Sequence, residues 1–128
     1  MSKHIILIVL LTALYQAGWT QLKPPTKSRK TQSTEATIKN ELEIVLEKYR
    51  NEKSIESVWK QIRQEADNIL FGYFQKGKLL GTTKSMAYFI KIGLETMTAT
   101  DIKNQKKIVL IGIAIQKPGE FVMIRIEK

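Results

Sequence analysis

The sequence predicts an α+β fold with two N-terminal helices packed on one side of a small mixed or antiparallel sheet of about three strands. Three observations support this. Apolar residues recur at helical spacing through residues 38–74, a β-branched run follows at residues 108–115, and a second apolar run follows the turn residues Pro118 and Gly119. Three strands under a covering helix are just enough for independent stability, so we expect a partner strand to complete the sheet.

Cap residues and an apolar stripe define each predicted helix. Thr34 is placed to cap the first helix, and Ser54 is placed to cap the second. Gly77 follows the last apolar turn of the second helix and is suited to end it. The apolar stripes that should face the core are Ile38, Leu42, Val45, Leu46 and Tyr49 in the first helix, and Ile55, Val58, Trp59, Ile62, Ala66, Ile69, Leu70, Tyr73 and Phe74 in the second.

The strands differ in how their apolar residues are arranged. In the first strand, Tyr88, Ile90, Ile92 and Leu94 should share one face. A polar stretch with one helical turn near Asp101 follows, and the run at residues 108–115 is typical of a strand covered on both faces. In the last strand the apolar residues alternate with others. Val122, Ile124 and Ile126 point one way, and Phe121, Met123, Arg125 and Glu127 point the other.

Composition divides the 128-residue chain into three parts. In residues 1–20, the basic Lys3 and His4 are followed by about eleven mostly apolar residues. This order is typical of a secretory signal peptide. A buried strand, or a piece of a larger upstream domain, is the alternative. Residues 21–37 are polar and basic and are predicted to form a linker. Residues 38–128 form the predicted packed domain.

The composition argues against several kinds of chemistry. There is no cysteine, and the single histidine is His4, so thiolate ligands and Ser-His or Cys-His pairs are not expected in the domain. The acidic residues Glu95, Asp101 and Glu120 are scattered, and we predict neither an enzyme nor a bound cofactor or metal. The formal net charge of +9 favours acidic partners in general, but no nucleic-acid recognition motif is present.

The final strand is the predicted site of assembly. An apolar edge strand tends to pair with another chain unless something blocks it. Residues 121–127 are therefore the candidate subunit interface, and an ordinary edge strand within one molecule is the alternative. This candidate interface consists of Phe121, Val122, Met123, Ile124, Arg125, Ile126 and Glu127.

The most specific motif in the domain is Thr96-Met97-Thr98 followed by Asp101-Ile102, and further segments accompany it between residue 41 and the last residue. Together these segments resemble the C-terminal domain of contractile tail sheath proteins, which form the sheath of contractile phage tails and related injection systems. The family has Thr-Met-Thr…Asp-Ile where this chain has residues 96–102. Gly119 stands where the family usually has alanine, and Gln105 where it usually has a turn glycine. The other matching segments are residues 58–74, 77–81, 87–90, 111–114 and 117–122.

The resemblance implies a structural subunit, or a truncated relative of one, whose partners are other sheath subunits and an inner tube protein. In the family, extended terminal arms of neighbouring subunits complete a shared small sheet. Family members are several times longer than this chain. Five basic residues are candidates for facing an acidic tube, namely Lys60, Arg63, Lys103, Lys106 and Lys107.

A second function stays open from the sequence. The chain could be a small exported basic protein that uses a sheath-like fold to bind another anionic surface. The two functions imply different locations: an assembled sheath particle in the cytoplasm or virion, or export if residues 1–20 are a signal peptide. Contact with a membrane is expected only through that N-terminal segment, if it is not cleaved.

Overall fold

The computed structural model of the protein describes residues 29–128. Residues 1–20, where we predict a signal peptide, and residues 21–28 of the predicted linker lie outside the described residues. Within residues 29–128, seven elements follow one another in chain order. They are α1 (Arg29–Lys48), α2 (Glu56–Gln75), α3 (Lys84–Ala87), β1 (Tyr88–Ile92), α4 (Ala99–Lys103), β2 (Ile108–Lys117) and β3 (Glu120–Glu127).

The first helix begins earlier than the sequence predicted. It starts at Arg29 rather than after a cap at Thr34, so residues 29–37 of the predicted linker are helical. These residues contain no proline or glycine and include several good helix formers, so nothing in them stops the helix. The predicted apolar stripe is confirmed, because Ile38, Leu42, Val45 and Leu46 are all buried.

The second helix is antiparallel to the first and is joined to it by polar contacts. The Tyr49 hydroxyl and the Lys48 ammonium group both donate to the Glu65 carboxylate on α2. At the other end of α2, Gly77 adopts a φ of 74°. Its N–H donates to the Phe74 carbonyl, as expected of a glycine that ends a helix. The apolar face of α2 buries Val58, Ile62, Ala66 and Leu70.

The three strands form one antiparallel sheet in the order β1-β2-β3, which confirms the α+β prediction. Residues paired across the sheet give a core face on which both long helices pack, with α1 over β3 and α2 over β1. Three cross-strand rows make up this face: Tyr88, Ile113 and Val122; Ile90, Ile111 and Ile124; and Ile92, Val109 and Ile126. The central strand β2 is mostly buried, as its unbroken apolar run predicted.

The first strand ends earlier than predicted. It begins at Tyr88, directly after the short helix α3, and it ends at Ile92. Gly93 follows with a φ of 130°, which turns the chain away from the sheet. As a result Leu94, predicted to share the face of Ile92, is 80% exposed. The prediction for Leu94 is therefore wrong.

The helical turn near Asp101 is confirmed as α4. The Thr98 hydroxyl accepts from the Asp101 N–H at 3.1 Å, and the Asp101 carboxylate accepts from the Thr98 N–H at 2.9 Å. The hydrogen bond from the Thr98 N–H lowers the pKa of the Asp101 carboxyl, because it favours the ionised form, and the Thr98 side chain adds to this effect. The two bonds together form a reciprocal capping box. Gln105 follows with a φ of 62°, a conformation that glycine adopts at less cost.

The face of the sheet that points away from α1 and α2 is also apolar. We call this surface the outer face and define it by Phe89, Leu110, Phe121 and Met123. The Phe89 ring lies over Gly112 and meets the Phe121 ring edge-on, with 4.9 Å between the ring centroids. A Cβ atom on Gly112 would fall 2.1 Å from the Phe89 ring. The glycine therefore makes room for the aromatic pair.

Replacing Gly112 with alanine should lower the free energy of unfolding by about 1–3 kcal/mol, because the Phe89 ring must leave its place over the strand. Gly72 is the matched control, since it lies inside α2 with nothing within 4 Å of an added Cβ. Gly72→Ala should raise the free energy of unfolding by about 0.5–1 kcal/mol. Urea unfolding of the two variants measures both effects, and equal values would contradict this account of Gly112.

Candidate subunit interface

The candidate interface strand lies at the edge of the sheet, and no other strand among the described residues pairs with its outer, open side. The N–H of Lys107 donates to the Lys128 carbonyl at 2.7 Å, and the Lys128 N–H donates back at 3.0 Å. Because hydrogen-bonded pairs alternate along an antiparallel ladder, Ile126, Ile124 and Val122 also direct their backbone groups toward β2. The N–H and C=O groups of Phe121, Met123, Arg125 and Glu127 therefore point to the open side.

The side chains of β3 do little to protect this open edge. Residues 121–127 include no proline, glycine or lysine, which are common protective features of edge strands. Met123, near the middle of the strand, is 49% exposed. The two charged residues neutralise each other, since the Arg125 guanidinium lies 3.2 Å from the Glu127 carboxylate. The edge is thus apolar in its first half and nearly neutral in its second.

The opposite edge, formed by β1, is partly occupied by other groups of the chain. The Arg63 side chain donates to the Ile92 carbonyl at 2.8 Å, and the Tyr88 N–H donates to the Lys84 carbonyl. A groove of about 640 Å³ runs between this edge and α2 and is lined by Arg63, Lys84 and Tyr88, among others. Two backbone groups at this edge therefore already have partners.

The five candidate tube-facing residues do not share one surface environment. Lys60 extends into solvent beside the β1 groove, with its side chain 70% exposed, and Arg63 lies next to it. Lys103 is in the last turn of α4, and Lys106 lies 3.3 Å from the Glu127 carboxylate. That these four face an inner tube stays a prediction. Lys107 is different, because it is fully buried.

Lys107 was wrongly predicted to be a surface contact. Its ammonium group donates to the carbonyls of Gln105, at 2.9 Å, and Arg50, at 3.2 Å. Burial lowers the pKa of Lys107, since the charged form loses its hydration, and nearby Glu52 partly offsets this. The side chain therefore ties the loop between α1 and α2 to the start of β2. No pattern in the sequence distinguishes the buried Lys107 from its half-buried neighbour Lys106.

A second polar residue in the same region, Ser54, was also wrongly predicted. Ser54 is buried and does not cap α2, whose cap position is Ile55. The Ser54 hydroxyl donates to the Lys106 carbonyl at 2.7 Å and accepts from the Trp59 indole at 3.0 Å. The Ser54 N–H donates to the Gln105 side chain at 2.7 Å, which helps to hold Gln105 in its left-handed conformation. These contacts fix the end of the sheet at which β3 finishes.

The described residues contain no group of acidic and histidine side chains placed to hold a metal ion. Within residues 29–128, no helix has the length and apolar character needed to cross a membrane. The chemistry that the open edge of β3 offers to a partner is hydrogen bonding through the backbone.

Comparison with solved structures places the fold among contractile injection systems. The chain is similar to a chain of the anti-feeding prophage baseplate, determined by cryo-EM with sixfold symmetry, at 28% sequence identity and a TM-score of 0.59. It is similar to the same degree to a chain of the PVC sheath complex, an extracellular contractile injection system in its contracted state. In each case the match covers 70% of this chain and 25% of the other. No family model and no curated protein matches the sequence.

These similarities confirm the predicted resemblance to sheath-related proteins of contractile injection systems. Both matched chains are parts of multi-subunit assemblies. The chain spans about a quarter of the length of the proteins it matches.

Proposed function

We propose that this chain is a structural subunit of a contractile tail sheath, or a truncated relative of one, that joins its neighbours by strand pairing and surrounds an inner tube. The observation that carries the proposal is the open edge of β3, where four residues offer backbone groups to a partner. A strand added there gains main-chain hydrogen bonds, and the alternation of β3 side chains sets its register. The similarity to sheath-related assemblies supports this use of the edge.

The positions of the helices restrict what can pair with β3. Helix α1 packs over β3, and α2 packs over β1, so each outer strand carries its own helix. Neighbouring strands are about 4.8 Å apart, whereas packed helices need about 8–10 Å between their axes. Two folded copies that met edge to edge would bring their helices too close together. The partner strand therefore comes from an extended segment of a neighbouring subunit, without a helix above it.

Met123→Pro tests the proposal because it removes one outward-facing N–H from the edge and leaves the β2–β3 ladder intact. We expect this variant to lose self-association in sedimentation velocity, measured on the full chain. Met123→Thr is the matched control, because it removes the same side chain but keeps the N–H group. Equal association by the two variants would contradict strand pairing at this edge.

Deleting residues 121–128 should also abolish association, but that change is less informative. Ile124 and Ile126 are nearly fully buried, so the deletion removes part of the core as well as the edge. The proline and threonine pair separates these effects, provided that both variants have circular dichroism spectra like that of the unmodified chain.

A further inference from the structure

The two faces of the sheet offer different surfaces to a strand that pairs with β3. On the face toward α1, Ile124 and Ile126 are only 4% and 3% exposed, and Val122 is half-buried, so a further strand adds little to their burial. On the outer face, Met123 is 49% exposed and Phe121 is half-buried. The apolar surface that a partner strand can cover at this edge therefore lies mainly on the outer face.

The flank of α1 above the open edge is polar. Since α2 packs over β1 and α1 over β3, the flank of α1 that turns away from α2 faces this edge. Lys48 and Tyr49 turn toward Glu65 of α2. The opposite flank, at helical spacing, carries Lys39, Glu43 and Glu47. The Glu47 carboxylate lies 3.6 Å from the Lys128 ammonium group just after β3, which confirms the placement. This flank offers polar groups of both signs to a partner side chain.

The second half of β3 carries charges that balance one another. The Glu127 carboxylate lies 3.2 Å from the Arg125 guanidinium and 3.3 Å from the Lys106 ammonium group. Both cations also attract the Asp101 carboxylate of α4. A charged partner residue beside this network would repel one of its members, whereas an uncharged polar residue would not. The edge therefore favours a partner strand without charged side chains.

We propose that β3 recognises an uncharged partner strand whose apolar side chains lie on the outer face, next to Phe121 and Met123, and whose polar side chains point toward α1. This inference rests on the proposed strand pairing and specifies the side chains of the partner. Antiparallel addition is the more stable arrangement per residue. In that arrangement, the partner residues that exchange backbone hydrogen bonds with Phe121 and Met123 stand directly opposite them on the same face.

Peptides with equal numbers of alternating valine and threonine residues and blocked termini test this inference. Selective N-methylation of their backbone decides which side chains lie on the outer face. When every threonine amide is methylated, only the valine N–H groups can pair with β3, which places valine on the outer face. When every valine amide is methylated, threonine takes that place. The two peptides have the same composition and number of methyl groups, and neither carries a charge.

Fluorescence anisotropy of labelled peptides measures binding to the full chain, at protein concentrations too low for self-association. We expect the threonine-methylated peptide to bind about five- to thirtyfold more tightly, because it places two apolar residues against Phe121 and Met123. Met123→Thr should reduce this preference, since it removes the exposed apolar side chain. Glu43→Thr, on the polar flank of α1, is the matched control and should leave the preference unchanged.

Equal affinity of the two peptides, or the reverse preference, would overturn the inference. So would a preference that Glu43→Thr removes and Met123→Thr does not. A peptide methylated at every amide separates this failure from a failure of strand pairing, because it retains the side chains but has no N–H group to donate. If it binds as tightly as the unmethylated peptide, or if no peptide binds, strand pairing at this edge is contradicted and the inference with it.

Discussion

Ile92→Ala is expected to lower the free energy of unfolding by about 2–4 kcal/mol, whereas Leu94→Ala should change it by less than about 0.5 kcal/mol. The two residues are two positions apart and would share one face if β1 continued. Ile92 is 2% exposed and lies in a core-face row with Val109 and Ile126. Leu94 is 80% exposed, because Gly93 turns the chain out of the strand.

Chemical denaturation of the two variants, with the same buffer and denaturant, measures this difference directly. The slope of unfolding against denaturant should stay constant, since neither change alters the extent of the folded domain. Similar losses for both variants would mean that the strand continues past Gly93 and that Leu94 is buried. The comparison thus tests where β1 ends as well as how much the core contributes.

Periodic apolar patterns predicted most of the fold. The stripes on α1 and α2, the buried central strand and the alternation in β3 follow from spacing alone, because each reports which face an element buries. The errors occur where a local conformation overrides the pattern. Gly93 turns Leu94 away from the sheet, and residues 29–37, which contain no proline or glycine, extend α1 back to Arg29.

The candidate interface was predictable in part. The sequence indicated an edge strand with apolar side chains, and the structure places β3 at the edge of the sheet. The hydrogen-bonded pair of Lys107 and Lys128 determines which backbone groups of β3 point outward. No sequence pattern encodes this alternation of hydrogen bonds. The burial of Lys107 and Ser54 was equally inaccessible, because their partners are carbonyl groups that every residue possesses.

Alkaline pH should destabilise the domain through two buried or half-buried tyrosines. The Tyr49 hydroxyl donates to Glu65, and this hydrogen bond, together with burial, raises the pKa of Tyr49 to about 12. Burial, together with a 2.8 Å hydrogen bond to Asp67, also raises the pKa of Tyr88. In the unfolded chain both phenols should have a pKa of about 10.

The sign of the effect follows from proton binding. Above about pH 10 the unfolded chain releases these protons while the folded domain keeps them, so the free energy of unfolding falls as the pH rises toward 12. Below about pH 10 the stabilisation is fully present. Lys107 acts in the opposite direction, because its pKa is lowered in the folded state. Each unit of pKa separation corresponds to at most about 1.4 kcal/mol, and solvent screening reduces this at the half-exposed Tyr49.

Denaturation curves between about pH 9 and about pH 12 measure this dependence. We expect a steep loss of stability in the unmodified chain, a shallower one in Tyr49→Phe or Tyr88→Phe, and the shallowest in the double variant. Each variant is compared with its own stability at neutral pH, which removes the cost of losing the hydroxyl itself. Because phenylalanine cannot ionise, an unchanged slope in the double variant would show that other groups, and not these phenols, govern alkaline unfolding. The hydrogen bonds to Glu65 and Asp67 would then have no measurable effect on the pKa of the two tyrosines.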